Sequence, residues 1–443
     1  MADGWDDAGY VRADHHSTAA KPTRAYVLHA DLKTTKARRL ADLALAEAVS
    51  LAAALPGLQV IGAEVARLAR LHPGVLFGTG KVDDLAVRLK ALEIDLVLVD
   101  GAVTPVQQRN LEKAWGAKLL DRTGLILEIF ADRARTREGV LQVELAALSY
   151  QRTRLVRAWT HLERQRGGFG FVGGPGETQI ESDRRAIDDQ IIRLKRQLDR
   201  VGKTRELHRA ARRKVPFPLV ALVGYTNAGK STLFNAMTGA DVLAQDMLFA
   251  TLDPTMRGVV LPGIDGAAGR KVIASDTVGF ISDLPTQLVA AFRATLEEVL
   301  EADLILHVRD ISHPESGEQA ADVADILTSL GVGPDVPMIE VWNKLDLVAP
   351  AQVEGLLVQA ANRAGVYPVS ALTGAGLDRL LDAVSTAFDE AKASAVLAVN
   401  FADGRRYAWL HAESVVQSEA QTDDGWQITV RWTARQAGRF AEL

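Results

Sequence analysis

The stretch LVALVGYTNAGKST, residues 219–232, joins an apolar run typical of a buried strand to a glycine-punctuated loop and the start of a helix. In that setting the pattern GxxxxGKS predicts a phosphate-binding loop, because its glycines let backbone N–H groups curl around phosphate oxygens at a helix N-terminus. We expect Lys230 to reach the β- and γ-phosphates and the Ser231 hydroxyl to ligate Mg²⁺. The residues expected to contact the phosphates are Gly224, Tyr225, Thr226, Asn227, Ala228, Gly229, Lys230, Ser231 and Thr232.

A second motif, DTVG at 276–279, follows another buried-strand pattern at 272–275. A carboxylate at a strand end can hold the outer shell of a Mg²⁺ ion, and a nearby glycine can offer its N–H to the γ-phosphate. The motif is therefore predicted to sense whether the nucleotide carries a third phosphate. Its residues are Asp276, Thr277, Val278 and Gly279.

Base selection is predicted for NKLD at 343–346, which ends a third strand pattern at 338–342. The Asp346 carboxylate can accept hydrogen bonds from guanine N1–H and N2–H together, a pair of donors that adenine does not present. We expect Lys344 to cover the base and Asn343 to tie this loop to the phosphate loop. The run SAL at 370–372 fits a backbone contact to guanine O6. The expected base contacts are Asn343, Lys344, Leu345, Asp346, Ser370, Ala371 and Leu372.

The order of these motifs is that of the GTPase fold, and the chain around them predicts a multidomain α/β protein. At 443 residues the length allows two to four domains. The expected divisions are a disordered tail (1–23), an N-terminal α/β domain (24–138), an antiparallel helical hairpin (139–213), a P-loop GTPase domain with a doubly wound sheet (214–390) and a small C-terminal α+β domain (391–443).

Within these divisions, strand-like and helix-like runs are predicted from apolar periodicity. In the N-terminal domain, strands are expected at 25–32, 58–62, 65–71, 75–77, 96–100 and 118–121, and helices at 37–54, 81–92 and 105–114. In the C-terminal domain, strands are expected at 396–401 and 427–432, with a helix at 404–416 and a hairpin around 423–425.

Composition excludes several classes of protein. Hydrophobic residues are 48% and charged residues 24%, so disorder cannot dominate. The absence of cysteine excludes disulfides, thiolate metal sites and a cysteine nucleophile, and it fits the reducing cytosol. The acidic start MADGWDDAGY is unlike a signal peptide, and no apolar run is long enough to span a bilayer. We therefore expect a cytoplasmic protein without membrane association, acting as a monomer.

The helical region is basic although the chain has a net charge of −5. Residues 133–214 contain 20 Lys and Arg against 10 Asp and Glu, which points to a partner that is a polyanion. The loop between the two helices, expected at 164–179, holds six glycines beside aromatic and arginine side chains that can stack on RNA bases. The alternatives are a solvated helical surface and a flexible turn. The candidate contacts are Arg166, Phe169, Phe171, Gly173, Gly174 and Gly176.

Three segments together resemble the HflX family of ribosome-associated GTPases: DTVGFISDLPTQLVAAFRATLEEVLEADLILHVRD (276–310), LFATLDPT (248–255) and GGPGETQIE (173–181). The resemblance covers roughly residues 24–390. It implies GTP hydrolysis and binding to rRNA of the large ribosomal subunit, with the hairpin tip reaching toward the peptidyl-transferase centre. It also implies splitting or rescue of stalled ribosomes under stress. Nothing in it implies a DNA partner.

A switch threonine that closes on Mg²⁺ and the γ-phosphate is expected between the phosphate loop and DTVG. Thr251 and Thr255 are the candidates, and the resemblance favours Thr251 as a metal ligand beside Ser231. Thr255 then serves the turn after Pro254. The predicted catalytic residues are Lys230, Thr251 and Gly279, and the flanking nucleotide contacts are Phe249, Ala250, Leu252 and Asp253.

Phe280 changes the expected mechanism. Many GTPases place a glutamine directly after DxxG to orient the attacking water, and an apolar side chain cannot do so. Unassisted hydrolysis is therefore expected to be slow, with a partner surface completing the site. Related GTPases use an asparagine such as Asn227 to coordinate K⁺, and the sequence leaves open whether this chain does.

Four further features have ordinary interpretations. The run GTGK at 78–81 follows a strand, and some members of the resembled family are said to use this domain for ATP, but the loop is short. The preferred interpretation of this run is the start of a helix, with Lys81 on the surface. His15 and His16 are assigned to the tail, and Asp100 and Asp121 to turns.

Two other functions stay open at this point. One is a GTPase switch away from the ribosome that recruits protein effectors or docks at the membrane, although the acidic body of the chain argues weakly against the membrane. The other is an RNA-binding scaffold whose nucleotide site is vestigial, which the intact Lys230, Ser231 and Asp276 argue against.

Overall fold

The computed structural model describes residues 21–32, 39–165, 175–212, 217–239, 248–249, 254–263, 269–282, 298–333, 336–388, 393–413, 415–422, 424–432, 437 and 440–441. Side chains within the two long helices are described only at 137–154, 182 and 184–201. The chain divides into two compact units, the first formed mainly by residues up to Arg200 and the second mainly by those from Val201 onward. The division into smaller domains stays a prediction.

The first unit is built on a parallel four-stranded sheet in the order β2-β1-β3-β4. Its elements are β1 (Thr23–Leu32), α1 (Ala41–Ala53), β2 (Leu58–Leu68), α2 (Thr79–Ala91), β3 (Leu96–Asp100), α3 (Pro105–Trp115), β4 (Lys118–Asp121) and α4 (Arg122–Arg133). The middle of β1, AYVL, and the run LVLV of β3 are continuously apolar, as expected for inner strands of a parallel sheet covered on both faces. Leu28, Leu85 and Leu111 are fully buried in its core.

Three predictions in this unit were wrong. The strands expected at 58–62 and 65–71 are one strand, β2, which pairs with β1 along its whole length. Residues 75–77 form no strand, because His72 and Leu76 exchange backbone hydrogen bonds of 2.9 Å in a tight turn. Helix α4 was missed; the Asp121 side chain caps it by accepting a 2.8 Å hydrogen bond from the backbone N–H of Gly124.

A charged cluster lies at the carboxyl ends of these strands. The Asp100 carboxylate accepts hydrogen bonds from His29 Nδ1 at 2.7 Å and from the Arg122 guanidinium at 2.6 Å, and Arg122 also pairs with Glu47. Burial alone would raise the pKa of Asp100, but these two partners lower it below its ordinary value. Asp100 is therefore an ion-paired residue, which corrects its assignment to a simple turn. Lys81, at the start of α2, pairs with Glu64 at 2.8 Å.

Two long helices follow, α5 (Arg137–Gln165) and α6 (Pro175–Arg212). Arg152 of α5 pairs with Asp188 of α6 at 2.7 Å, and the apolar positions Ile191 and Leu194 are buried. The loop predicted at 164–179 is shorter than expected. Gly176 lies in the first turn of α6, because the fixed backbone angle of the preceding proline suits the first position of a helix.

The second unit contains a six-stranded sheet in the order β10-β9-β8-β5-β7-β6, parallel except for β6. Its elements are β5 (Leu219–Gly224), α7 (Lys230–Thr238), β6 (Thr255–Leu261), β7 (Arg270–Asp276), β8 (Leu304–Asp310), α8 (Ser316–Leu330), β9 (Met338–Asn343), α9 (Pro350–Ala361), β10 (Val366–Pro368) and α10 (Leu377–Ala387). Leu222, Leu306 and Val341 form part of its buried core. The phosphate loop follows β5, a central strand, so the predicted α/β fold with a P-loop GTPase domain is confirmed.

The chain ends in a three-stranded antiparallel sheet in the order β11-β13-β12 with one helix against it. Its elements are β11 (Ala393–Asn400), α11 (Gly404–Ala412), β12 (Val416–Gln421) and β13 (Gly425–Trp432). Leu410 of the helix is buried on Ile428 and Val430 of the sheet. The helix is shorter than predicted because Val416 begins a strand. Within the described part of the chain, no helix combines the length and apolar character needed to cross a bilayer.

Candidate functional site

The phosphate loop connects β5 to α7 and depends on two glycines. Gly224 and Gly229 have φ angles of +156° and +88°, which disfavour residues with a side chain. A Cβ atom at Gly224 would collide with the carbonyl oxygen of Val308, and one at Gly229 would collide with the amide of Asn343. Asn227 also takes a left-handed conformation, with φ of 59°. The loop is therefore packed tightly against the neighbouring strand ends.

Lys230 is buried in the first turn of α7, and its Nζ donates a 2.9 Å hydrogen bond to the carbonyl of Tyr225. Burial lowers the pKa of Lys230 to about 8, and the charge of Asp276 opposes only part of that effect. An ammonium group held this way lacks a full counter-charge. Phosphate oxygens would supply one, as expected for the lysine of a phosphate loop.

The Ser231 hydroxyl donates a 2.6 Å hydrogen bond to the Asp276 carboxylate, which is completely buried at the end of β7. These two oxygens are the hard ligands that Mg²⁺ prefers, and Mg²⁺ usually takes its remaining ligands from water and substrate phosphates. Across the described segments, no three His, Asp or Glu side chains gather into a separate metal cluster. The pair therefore fits a magnesium ion that arrives with a nucleotide.

The DTVG motif is attached to the phosphate loop through backbone hydrogen bonds. The N–H of Thr226 donates to the carbonyl of Phe280 at 2.7 Å, and the N–H of Phe280 donates to the carbonyl of Gly224 at 3.1 Å. The Tyr225 phenol oxygen accepts a 2.8 Å hydrogen bond from the N–H of Ser282. The Phe280 side chain is buried and apolar, so it offers no donor or acceptor that could orient a water molecule at the phosphates.

Gly279 lies against both the phosphate loop and the lysine. A Cβ atom at this glycine would be 2.8 Å from Cγ2 of Thr226 and 3.0 Å from Nζ of Lys230. The same Cβ atom would lie 2.8 Å from the backbone Cα of Thr226, so a side chain here would require the phosphate loop itself to shift. This close approach places the Gly279 backbone next to the ammonium group predicted to hold the γ-phosphate.

The predicted base-reading loops are held by side-chain hydrogen bonds. Asn343 donates from Nδ2 to the carbonyl of Ala228 at 2.9 Å and accepts from the N–H of Ala371 at 3.0 Å. The Ser370 hydroxyl donates to the Asp346 carboxylate at 2.5 Å. One asparagine thus connects the phosphate loop to both base loops.

Lys344 has a left-handed backbone, with φ of 64°, and its Nζ lies 2.9 Å from the Asp310 carboxylate at the end of β8. That ion pair fixes the stem of a side chain predicted to cover the base. Leu345 opens a short 3₁₀ turn, and the Leu372 side chain is 77% exposed. The base contact predicted for Leu372 would therefore come from its backbone.

Several predicted residues fall outside the description. Thr251, Ala250, Leu252 and Asp253 lie outside the described residues, as do Arg166, Phe169, Phe171, Gly173 and Gly174. Phe249 is described; it is buried and has φ of 56°. Thr255 is the first residue of β6 and pairs with Asp276 of β7. The roles assigned to these residues stay predictions.

The sequence analysis did not name Ser282 or Asp310, and it named Tyr225 without a role for its phenol. The Tyr225 phenol and its partner Ser282 give no local sequence signal, because their contact joins separate loops. Asp310 could have been noticed as an acid at a strand end, by the same argument that singled out Asp276. Its partner Lys344 becomes visible only once β8 and β9 are adjacent.

Four family profiles match the chain in succession. They are described as GTP-binding GTPase N-terminal (residues 42–131), GTP-binding GTPase Middle Region (133–212), 50S ribosome-binding GTPase (219–344) and HflX C-terminal domain (355–442). Together they cover most of the chain.

Curated proteins are similar over nearly the full length. A protein named GTPase HflX from Magnetococcus marinus is 48% identical over 423 residues, covering 96% of this chain and 95% of the relative. The GTPase HflX of Escherichia coli is 43% identical, covering 88% of this chain and 89% of the relative. A solved structure of a GTP-binding protein from Sulfolobus solfataricus in complex with GDP is 23% identical over 82% of this chain and 98% of its own, with a TM-score of 0.43.

Proposed function

The chain belongs to the HflX family of GTPases, and from that premise we propose that it binds the large ribosomal subunit and splits or rescues stalled and idle ribosomes under stress. GTP is its substrate, and hydrolysis yields GDP and phosphate. The observation that carries the proposal is Phe280. Its side chain is buried and its backbone is bonded to the phosphate loop, so the residue after DxxG cannot orient the attacking water. A partner surface, acting together with groups of this chain, would then complete the site.

The described residues account for nucleotide binding and charge stabilisation. Lys230 and the backbone N–H of Gly279 would hold the γ-phosphate, and Asp346 would select guanine. Mg²⁺, held by Ser231 with Asp276 behind it, would neutralise charge on the phosphates. Closure of Thr251 on that ion remains part of the proposal, as does K⁺ coordination by Asn227. ATP is left out, since Lys81 is engaged by Glu64.

The charge of α6 supports an RNA partner. Six of its basic side chains are exposed: Arg184, Arg185, Arg193, Lys195, Arg196 and Arg200. A row of arginines along a helix is the usual electrostatic footprint of a protein that contacts a phosphate backbone. The family profile that matches 219–344 is described as ribosome-binding, which supports the same partner. We assign the hairpin tip around Phe169 and Phe171 to rRNA contact, and a monomer in the cytosol to the working form.

The test is GTP hydrolysis by the full chain, alone and with purified large subunits at moderate salt. We expect slow turnover alone and at least about tenfold stimulation by the subunits, since completing a GTPase site in trans has a large effect on rate. Failure of large subunits to accelerate hydrolysis would refute ribosome dependence and favour a protein effector. Sedimentation of intact ribosomes, with and without the protein and GTP, then tests splitting.

A matched pair of variants tests the role of α6. Replacing Arg193 and Arg196 with glutamate should weaken stimulation and make it less salt-dependent, because fewer phosphates are neutralised. Hydrolysis without ribosomes should not change. Lys90→Glu combined with Lys113→Glu, at exposed positions on α2 and α3, changes the net charge by the same amount and is the control for a general charge effect. Equal loss in both variants would contradict a specific role for α6.

A further inference from the structure

Thr226 has a buried hydroxyl that the nucleotide-binding roles above do not use. The residue is 6% exposed, and its Oγ1 has no hydrogen-bond partner among the residues that the structure describes. Buried hydroxyl groups are normally satisfied, since leaving one without a partner disfavours the folded state. A buried hydroxyl without a hydrogen-bond partner inside a substrate site indicates that its partner arrives with the substrate.

The location of Thr226 indicates which part of the substrate it meets. The point occupied by a Cβ built on Gly279 lies 2.8 Å from Thr226 Cγ2 and 3.0 Å from Lys230 Nζ. The Thr226 side chain therefore shares one small space with the two groups assigned to the γ-phosphate. The predicted base loops are attached at a different residue of the phosphate loop, through the hydrogen bond from Asn343 to the carbonyl of Ala228.

The backbone of Thr226 is fixed as well. Its N–H donates a 2.7 Å hydrogen bond to the carbonyl of Phe280, the residue whose side chain is withdrawn from the site. The structure thus holds Thr226 against the segment where other GTPases carry a water-orienting side chain. Lys230 and the Gly279 N–H are donors only, so neither can accept a hydrogen bond from water. The Thr226 hydroxyl can.

We propose that Thr226 is a catalytic residue whose Oγ1 accepts a hydrogen bond from the attacking water and aims it at the γ-phosphorus. In this step the water oxygen bonds to the γ-phosphorus, and the bond from that phosphorus to the β–γ bridging oxygen breaks. GDP departs with the electron pair, and the proton released by the water goes to a γ-phosphoryl oxygen. Thr226 is unchanged at the end of the step.

The test compares Thr226→Val with Thr226→Ser in single-turnover GTP hydrolysis by the full chain, with and without large ribosomal subunits. Valine has nearly the shape of threonine and lacks the hydroxyl, whereas serine keeps it. We expect the valine variant to hydrolyse GTP about 10–100 times more slowly and the serine variant to stay within about threefold of wild type. The dissociation constants for GDP and for a non-hydrolysable GTP analogue should change by less than about threefold in both.

Thr238→Val is the matched control, because it removes a hydroxyl at the far end of α7 that is bonded within its own helix. It should leave the rate unchanged. An unchanged rate in Thr226→Val would overturn the proposal. Equal slowing in the serine and valine variants would also overturn it, since it would assign the effect to packing by the methyl group. A loss confined to binding of the GTP analogue would show a ground-state phosphate contact instead of a role in hydrolysis.

If Thr226→Val does not bind GDP, Thr226→Ala takes its place, since it also lacks the hydroxyl and introduces no new bulk. The comparison rests on GTP hydrolysis and not on the ribosome. Wild-type protein that large subunits fail to stimulate would refute the proposed ribosomal function, while the comparison of valine with serine would still decide the role of Thr226.

Discussion

Raising the pH should weaken nucleotide binding through Lys230. In the protein without nucleotide, burial lowers the pKa of this lysine to about 8, from an ordinary value of 10.5. The phosphates of GDP would give the ammonium group the counter-charge it lacks, and its pKa would then return toward the ordinary value. GDP therefore binds preferentially to protein in which Lys230 is protonated. Above pH 8 most of the nucleotide-free protein lacks that proton, so binding of GDP must be accompanied by uptake of a proton from the solvent.

The size of the effect follows from that difference. A change of one pKa unit corresponds to about 1.4 kcal/mol, so the lowered pKa represents about 3 kcal/mol that phosphate binding can recover. For a group with a pKa of about 8, the dissociation constant of GDP should rise about tenfold between pH 7 and pH 9. At pH 8 the complex should take up about half a proton per GDP bound.

The same shift acts on stability in the opposite direction. Because the pKa of Lys230 is lower in the folded than in the unfolded state, the unfolded chain binds more protons between pH 8 and 10.5. The free energy of unfolding of the nucleotide-free protein therefore rises as the pH rises through that window. Below pH 8 the folded state carries the full penalty of burying the protonated lysine. Lys230→Met should therefore stabilise the nucleotide-free protein at pH 7, by at most about 3 kcal/mol, while weakening GDP binding.

Calorimetric titration with GDP at pH 7, 8 and 9, in buffers of different ionisation enthalpy, measures both quantities. Lys230→Met is the control, since any slope that remains in it belongs to other groups, including the guanine base. A dissociation constant that does not change from pH 7 to pH 9, or binding without proton uptake at pH 8, would refute the argument from burial.

Two further predictions concern stability. Asn343→Ala removes two buried hydrogen bonds that join three loops and should destabilise the GTPase domain by about 2–6 kcal/mol, whereas Asn362→Ala, at an exposed helix end, should have little effect. Hydrogen exchange of the phosphate-loop peptide measures this, and equal protection in the two variants would contradict it. Burial lowers the pKa of His307 to about 4 from an ordinary 6.5, so the unfolded chain binds the extra proton and stability falls as the pH drops from about 6.5 to 4. His307→Leu should remove this loss of stability at acid pH, so that strand β8 is equally protected from hydrogen exchange at pH 7 and pH 5. Wild-type protein in which the protection of β8 does not fall between pH 7 and pH 5 would contradict the argument.

Much of the fold and of the candidate site could be predicted because it is decided by residues that are close together in the sequence. The strands at 96–100 and 118–121 are observed with the predicted ends, because each is a compact apolar run closed by an aspartate. The phosphate loop was found because Gly224 and Gly229 serve a backbone geometry that tolerates few other residues. Family membership was predictable for a similar reason, since long motifs rarely recur by chance.

The failures arose where distant residues decide the structure. The apolar run at 75–77 is too short to separate strand from turn, and the hydrogen bonds between His72 and Leu76 settle it. The glycines before α6 indicated a long loop, although a proline at 175 starts the helix early. The close approach of Gly279 to the Thr226 methyl group joins residues more than fifty positions apart in the chain, so it leaves no local pattern.

Helix α6 has a mechanical consequence of its own. It runs unbroken for 38 residues, from the glycine-rich segment at one end to Arg212, a few residues before β5 and the phosphate loop. At 1.5 Å per residue its length is about 57 Å. A rotation of the helix axis by only about 5° at the Arg212 end would sweep the Pro175 end through about 5 Å, more than the spacing of about 3.4 Å between stacked base pairs. The helix can thus act as a lever arm that converts a small local tilt into a large displacement at its tip.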